Sequence, residues 1–195
     1  MSAGSSAAAP AASAKRAASG AAVVRDAGEG DLASVRAIYA HHVLTGLGSF
    51  EEQPPDLAEI AKRFRAVADA GLPYLAAELD GKVVGYAYAA PFRPRPAYRH
   101  TVENSVYVAP GFEGRGIGRA LLVALIGRCT ASGKRQMIAV IGGGYDNVGS
   151  AKLHQALGFT QAALLKSVGW KFGRWLDSLM MQLALGPGDT KPPGG

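Results

Sequence analysis

Apolar and polar positions switch between two periods along residues 22–185, and the switches divide the chain into elements. Ala22–Asp26 reads as a first strand. Leu32, Val35, Tyr39 and Val43 then recur at helical spacing and form one apolar face, with Asp31 placed to cap it. Gly46–Phe50 breaks this helix. After Pro54-Pro55 a second stripe, Leu57, Ile60, Phe64 and Val67, starts behind Asp56 and Glu59 at capping-box spacing and stops at Gly71. Tyr74–Leu79 and Val83–Ala90 predict a hairpin around Asp80-Gly81, the strongest short turn signal in the chain. Val102, Val106, Tyr107 and Val108 suit a pleated strand that Pro110 stops. Ala120, Leu121, Leu122, Leu125 and Ile126 predict a helix over 119–131. Gln136–Ile141 suits an interior strand, and Val148–Leu157 a short helix closed by Gly158. Phe159–Val168 and Trp175–Leu183 read as the last strands, with GWKFGR as a loop between them. The result is one α/β domain over 22–185, flanked by disordered tails at 1–21 and 186–195.

Composition narrows the function. Apolar residues make up 48% of the 195, enough for one well-buried core. The single cysteine, Cys129, excludes an internal disulfide and a cysteine-based metal cluster, so no metal is expected. No apolar run is long enough to cross a bilayer, and the Ala/Ser-rich start lacks the compact apolar segment of a secretory signal, so a cytoplasmic location is expected. The net charge of +6 comes from scattered cations without a nucleic-acid motif. It reads as steering of anionic ligands, with neither nucleic acid nor membrane as partner.

The candidate chemistry lies in TVENSVYVAPGFEGRGIGRALL, residues 101–122, which reads as strand, glycine-rich turn and helix. A helix that opens from such a turn binds anions, because its first N–H groups lack partners and its dipole favours negative charge. Arg115 and Arg119 add formal charge there. The turn is not a Walker A loop, since no Gly-Lys-Ser/Thr follows, and its G-x-G-x-G spacing is a poor dinucleotide fingerprint. An ordinary strand–helix connection is the competing reading. Glu103 is either an edge or salt-bridged residue, or a part-buried carboxylate whose raised pKa suits a general base. The loop PFRPRPAYR, residues 91–99, reads by itself as a solvated basic loop stiffened by proline. Phe50 is core or pocket wall, Asn147 a helix cap, and His154 a packing or surface histidine.

Four ordered stretches carry a family resemblance: YRHTVENSVYV (98–108), GRGIGRALL (114–122), LHQALGF (153–159) and VGWKFGRWLD (168–177). With them the chain resembles the GNAT superfamily of N-acetyltransferases, and within it the phosphinothricin and methionine sulfoximine acetyltransferase group. The resemblance implies a mixed, mostly antiparallel sheet of six to seven strands flanked by about four helices. It implies acetyl-CoA as co-substrate, a small amino-acid-like amine as acceptor, direct attack without a covalent enzyme intermediate, and a homodimer. Transfer to protein N-termini or other amines, or a silent acyl-CoA-binding module, are the alternatives.

Residue roles follow from the same resemblance. Gly114, Arg115, Gly116, Ile117, Gly118 and Arg119 would surround the diphosphate of the co-substrate. The backbone of Val106, Tyr107 and Val108 would pair with its pantetheine, with Asn147 and Ser150 as further contacts. Glu103 would be the general base, through a water, and His154 would protonate the leaving thiolate. Phe50, Arg93, Pro94, Arg95, Glu103, Asn104 and Ser105 would contact the acceptor. One position departs from the family pattern: Glu113 stands where Gln or Arg usually opens the glycine loop, and an anion there opposes a diphosphate unless it is turned away or paired with Arg115 or Lys134.

Overall fold

The computed structural model describes residues 20–193. Seven strands form one sheet in the order β1-β2-β3-β4-β5-β7-β6. They are β1 Val23–Asp26, β2 Tyr74–Leu79, β3 Lys82–Pro91, β4 Thr101–Val108, β5 Gln136–Gly142, β6 Thr160–Lys171 and β7 Arg174–Ala184. Every neighbouring pair is antiparallel except β4 and β5. Four α-helices accompany the sheet: α1 Leu32–Thr45, α2 Leu57–Asp69, α3 Ile117–Ala131 and α4 Val148–Ala156. Strand and helix order agree with the sequence reading.

Two apolar clusters lie on opposite faces of the sheet. Val84, Ala87, Ala89 and Val102 pack with Leu121, Leu122 and Leu125 of α3. Tyr86 packs with Val35, Tyr39 and Val43 of α1 and Ile60 of α2. The period of two in β3 and β4 makes this division, with alternate side chains going to α3 or to α1 and α2, except that the register shift opposite Ala77 and Glu78 turns both Val84 and Gly85 toward α3. A Cβ at Gly85 would meet Tyr107 O at 3.0 Å and side chains of Ile117 and Leu121 at 3.1 Å, so glycine there lets α3 close on the sheet.

Three local expectations differ from the structure, and a fourth, the Asp56 cap, holds. Asp31 does not cap α1 with its side chain; its carboxylate takes Arg25 and the Gly28 N–H instead, because a 3-10 turn over Glu29–Asp31 precedes the helix. Asp56 does cap α2, accepting from the Glu59 N–H at 2.8 Å, while Glu59 turns to Arg63. GWKFGR is no loop: β6 and β7 run on to Lys171 and Arg174, and only Phe172-Gly173 turns, both at positive φ. Within 186–193, read as tail, residues 186–189 form a turn with Gly188 N–H on Leu185 O, and Arg135 donates to Pro192 O. The expected tail at 1–21 lies outside the described residues except for its last two positions.

Candidate active site

The one parallel pair of strands makes the site. β4 and β5 are in register only from Thr101↔Gln136 to Asn104↔Ala139, and then they part. Ser105–Val108 continue to pair with β3 but have no strand on their other side. Ala109 N–H bonds to Val84 O on β3, and the amides of an extended chain point alternately, so those of Val106 and Val108 face the gap. The Val108 carbonyl is taken there by His42 Nε2 at 2.8 Å. Tyr107 directs its amide to β3 and its ring into an aromatic stack with Tyr86, Tyr39 and His42.

The gap widens into a cleft of about 600 Å³. Its walls are Asn104–Val108, the loop and first turn of α3, Ala139–Ile141 of β5, α4 and Gly46–Gly48. Gly116 takes φ +80° immediately before α3, a conformation that glycine adopts without penalty, and the free N–H groups of the helix start follow from it. Gly114, Ile117, Gly118 and Arg119 line the cleft with it. Arg115 does not; its guanidinium lies 5.0 Å from the centre of the Phe112 ring. Glu113 accepts from the Gly111 N–H at 2.7 Å and forms no ion pair with Arg115 or Lys134 among the described residues, so the loop's own amide steadies the anion.

At the far end Asn147, Ser150 and His154 line the cleft. Asn147 makes no side-chain cap for α4; its Nδ2 donates to Gly142 O at 3.3 Å. His154 is 2% exposed, with Nδ1 2.8 Å from Ser150 O and Nε2 2.9 Å from Asn104 Oδ1. Burial holds its pKa below the usual histidine value, and the Ser150 carbonyl opposes that shift. Asn104 therefore faces α4 and is buried, although the sequence suggested an acceptor contact.

Glu103 and Ser105 project to the other face of the sheet, toward α1 and α2. Glu103 is partly buried, and burial raises its pKa while Arg93 pulls the other way. Beside it stand Tyr88 and a polar cluster that the sequence reading missed. Tyr39 shares a 2.9 Å bond with Ser49 Oγ and donates to Glu51 Oε1 at 3.0 Å; Arg63 reaches the same oxygen at 2.7 Å. Arg93, Pro94 and Arg95 are exposed, with Arg93 over the Phe92 ring. Phe50 is 39% exposed, and its ring lies against Gly142 and Gly169 outside the cleft lining. Of the cations in GWKFGR, Lys171 is buried and Arg174 pairs with Asp146 at 2.8 Å.

An open strand edge, an anion-binding helix start and an apolar cleft fit an extended phosphate-bearing thioester carrier. Residues 35–159 match the family model described as "Acetyltransferase (GNAT) family". The chain belongs to the GNAT acetyltransferase family. It is 57% identical to a phosphinothricin N-acetyltransferase of Alcaligenes faecalis over 88% of this chain and 85% of that protein. It is 44% identical to an L-methionine sulfoximine/L-methionine sulfone acetyltransferase of Pseudomonas paraeruginosa, over 87% of this chain and 98% of that protein. The crystal structure of a GNAT superfamily phosphinothricin acetyltransferase from Sinorhizobium meliloti in complex with AcCoA superposes with a TM-score of 0.86 at 50% identity, covering 89% of this chain and 93% of that one. This GNAT enzyme is an acetyl-CoA-dependent acetyltransferase. No group of three or more His, Cys, Asp or Glu able to hold a metal occurs among the described residues, and no helix is long and apolar enough to cross a membrane.

Proposed function

We propose that the protein transfers the acetyl group of acetyl-CoA to the primary amine of a small amino-acid-like substrate of the phosphinothricin or methionine sulfoximine type. The observation that carries this reading is the placement of Glu103: a partly buried carboxylate with raised pKa, on the strand that borders the cleft, next to the point where β4 and β5 part. The relatives named for these two substrates support the choice of acceptor.

Acetyl-CoA, when bound, supplies an acetyl group activated as a thioester. The N–H groups from Gly114 to Arg119 hold its diphosphate at the start of α3. The amides of Val106 and Val108 pair with its pantetheine as a neighbouring strand would. The Val106 N–H, which faces the gap, would stabilise the charge that develops on the acyl oxygen. Glu103 accepts the proton of the attacking amine through a water, the N–C bond forms and the C–S bond breaks. His154, as the imidazolium, gives its Nε2 proton to the sulfur and is left as the neutral ring that burial favours; for this its Nε2–H must leave Asn104 Oδ1, and afterwards Glu103 loses its proton to solvent and His154 regains one. Asn147 and Ser150 hold the cofactor's end of the cleft, and Arg93, Pro94, Arg95, Phe50 and Ser105 frame the acceptor, with guanidinium groups suited to its carboxylate.

The same reading places the enzyme in the cytoplasm, as a homodimer. The exposed apolar side chains of β6, β7 and the turn between them, Leu165, Val168, Trp170, Phe172 and Trp175, supply a surface for self-association. Light scattering at micromolar concentration tests it, and a monomer there removes the dimer.

The test of the chemistry is a free-thiol assay with acetyl-CoA and a panel of phosphinothricin, methionine sulfoximine and common amino acids, on wild type and Glu103→Gln. Turnover of one of the first two, lost in Glu103→Gln, is the expected result. Cofactor binding by calorimetry without thiol release from any amine overturns the proposal.

A further inference from the structure

Lys171 stands at the end of β6, and only 3% of it is exposed. Its ammonium donates to Gly46 O at 3.0 Å and to Ser49 O at 2.7 Å, and lies 4.9 Å from the centre of the Phe172 ring. Burial lowers its pKa, with Glu52 and Glu51 opposing. An ammonium is among the costliest groups to bury, and here its hydrogen-bond partners are two neutral carbonyls. Packing alone does not call for such a group, since an apolar side chain of similar volume usually serves stability as well or better.

What the ammonium holds is the connection between α1 and α2. Gly46, Leu47 and Gly48 of that connection line the cofactor cleft. Ser49 and Glu51, the next residues but for Phe50, bond to Tyr39 and Arg63 on the acceptor face. The two carbonyls that Lys171 binds are the ends of the tetrapeptide 46–49. The floor beneath it is built of glycines: a Cβ at Gly142 would come within 2.4 Å of Leu47 O, at Gly143 within 2.7 Å of Leu47 Cβ, and at Gly169 within 2.4 Å of the Phe50 ring. The segment is thus seated from below by shape and tied by one cation.

We propose that Lys171 is a positioning residue that fixes segment 46–51, so that one clasp sets both the cofactor wall and the acceptor side of the site. This rests on the acetyltransferase reading above. The clasp acts through main-chain atoms, and Lys171 touches neither substrate.

Steady-state thiol release by Lys171→Met, with calorimetry for acetyl-CoA and a thermal melt, tests it. The expected result is a folded variant whose amine KM rises by about tenfold or more and whose acetyl-CoA affinity weakens by a few-fold, with kcat within about threefold, since loss of orientation rather than of chemistry is the cause. A lower melting temperature with both constants unchanged marks a merely structural lysine and overturns the proposal. Should Lys171→Met fail to fold, Lys171→Gln keeps one donor group and is expected to give a smaller shift in the same direction; an unchanged amine KM in Lys171→Gln overturns the proposal. Absence of turnover in the wild type, by contrast, is the failure of the acetyltransferase reading. The clasp is then judged by calorimetry alone, where equal acetyl-CoA affinity in wild type and Lys171→Met overturns it.

Discussion

His154 Nε2 stands 2.9 Å from Asn104 Oδ1, and that amide is fixed from behind by a 3.0 Å bond from its Nδ2 to Ile138 O. The other ring nitrogen faces Ser150 O. Both nitrogens therefore meet acceptors, which suits the imidazolium, while burial disfavours it. The ring is held between two opposed demands.

Replacement of Asn104 by Asp tests that balance. A carboxylate at this point favours the protonated ring, so the His154 titration followed by NMR is expected to move upward in Asn104→Asp. A midpoint that stays or falls would show that Asn104 does not govern the ring.

The lowered pKa of His154 also has a sign for stability. The unfolded chain binds this proton first, so stability drops as pH falls through the ordinary histidine value of 6.5 toward the lower folded value, and is fully present above it. Melting temperatures of wild type and His154→Gln between neutral and mildly acidic pH check this. The wild type is expected to lose more stability over that window than the variant.

For Glu103 the shift is upward, and activity needs the carboxylate. The acid limb of kcat/KM is therefore expected above the ordinary carboxylate value of 4.5. Glu103→Gln should lose about 10²–10⁴ in kcat, the usual contribution of a general base, and that limb should vanish with it. A variant that keeps the limb would transfer the titration to another group.

The glycine floor under segment 46–51 separates two kinds of clash. Gly169→Ala sets a Cβ against the Phe50 ring, a side chain that can be trimmed; Gly142→Ala sets one 2.4 Å from the Leu47 carbonyl, which cannot, besides 2.9 Å from the same ring. Each substitution is expected to cost about 1–3 kcal/mol by overpacking. Phe50→Leu should recover part of the loss in Gly169→Ala and little in Gly142→Ala, as read by chemical denaturation in a double-mutant cycle. Full recovery of Gly142→Ala by Phe50→Leu would refute the clash described with the Leu47 carbonyl.

The fold was legible because its signals are local. The stripe of α2, the Asp80-Gly81 turn and the β-branched run of β4 each announce themselves within a dozen residues, and all seven strands stand where the periods put them. The glycine loop before α3 was legible for the same reason. Asp31 misled because a 3-10 turn and Arg25, six residues upstream, compete for its carboxylate. GWKFGR reads as a loop because the contacts that hold it are distant: Lys171 finds its partners 122 and 125 residues away in the chain. His42 on Val108 and Arg63 on Glu51 are likewise contacts through space that no spacing encodes.

The parting of β4 from β5 leaves an unsatisfied ladder in the middle of the sheet rather than at its rim. Nucleotide-linked pantetheine laid along that seam would complete the ladder, so the resting enzyme is a sheet short of one strand, and its own co-substrate is the missing piece. Heat resistance would then follow the co-substrate's concentration, with saturation at a hundred times Kd adding about 2.7 kcal/mol.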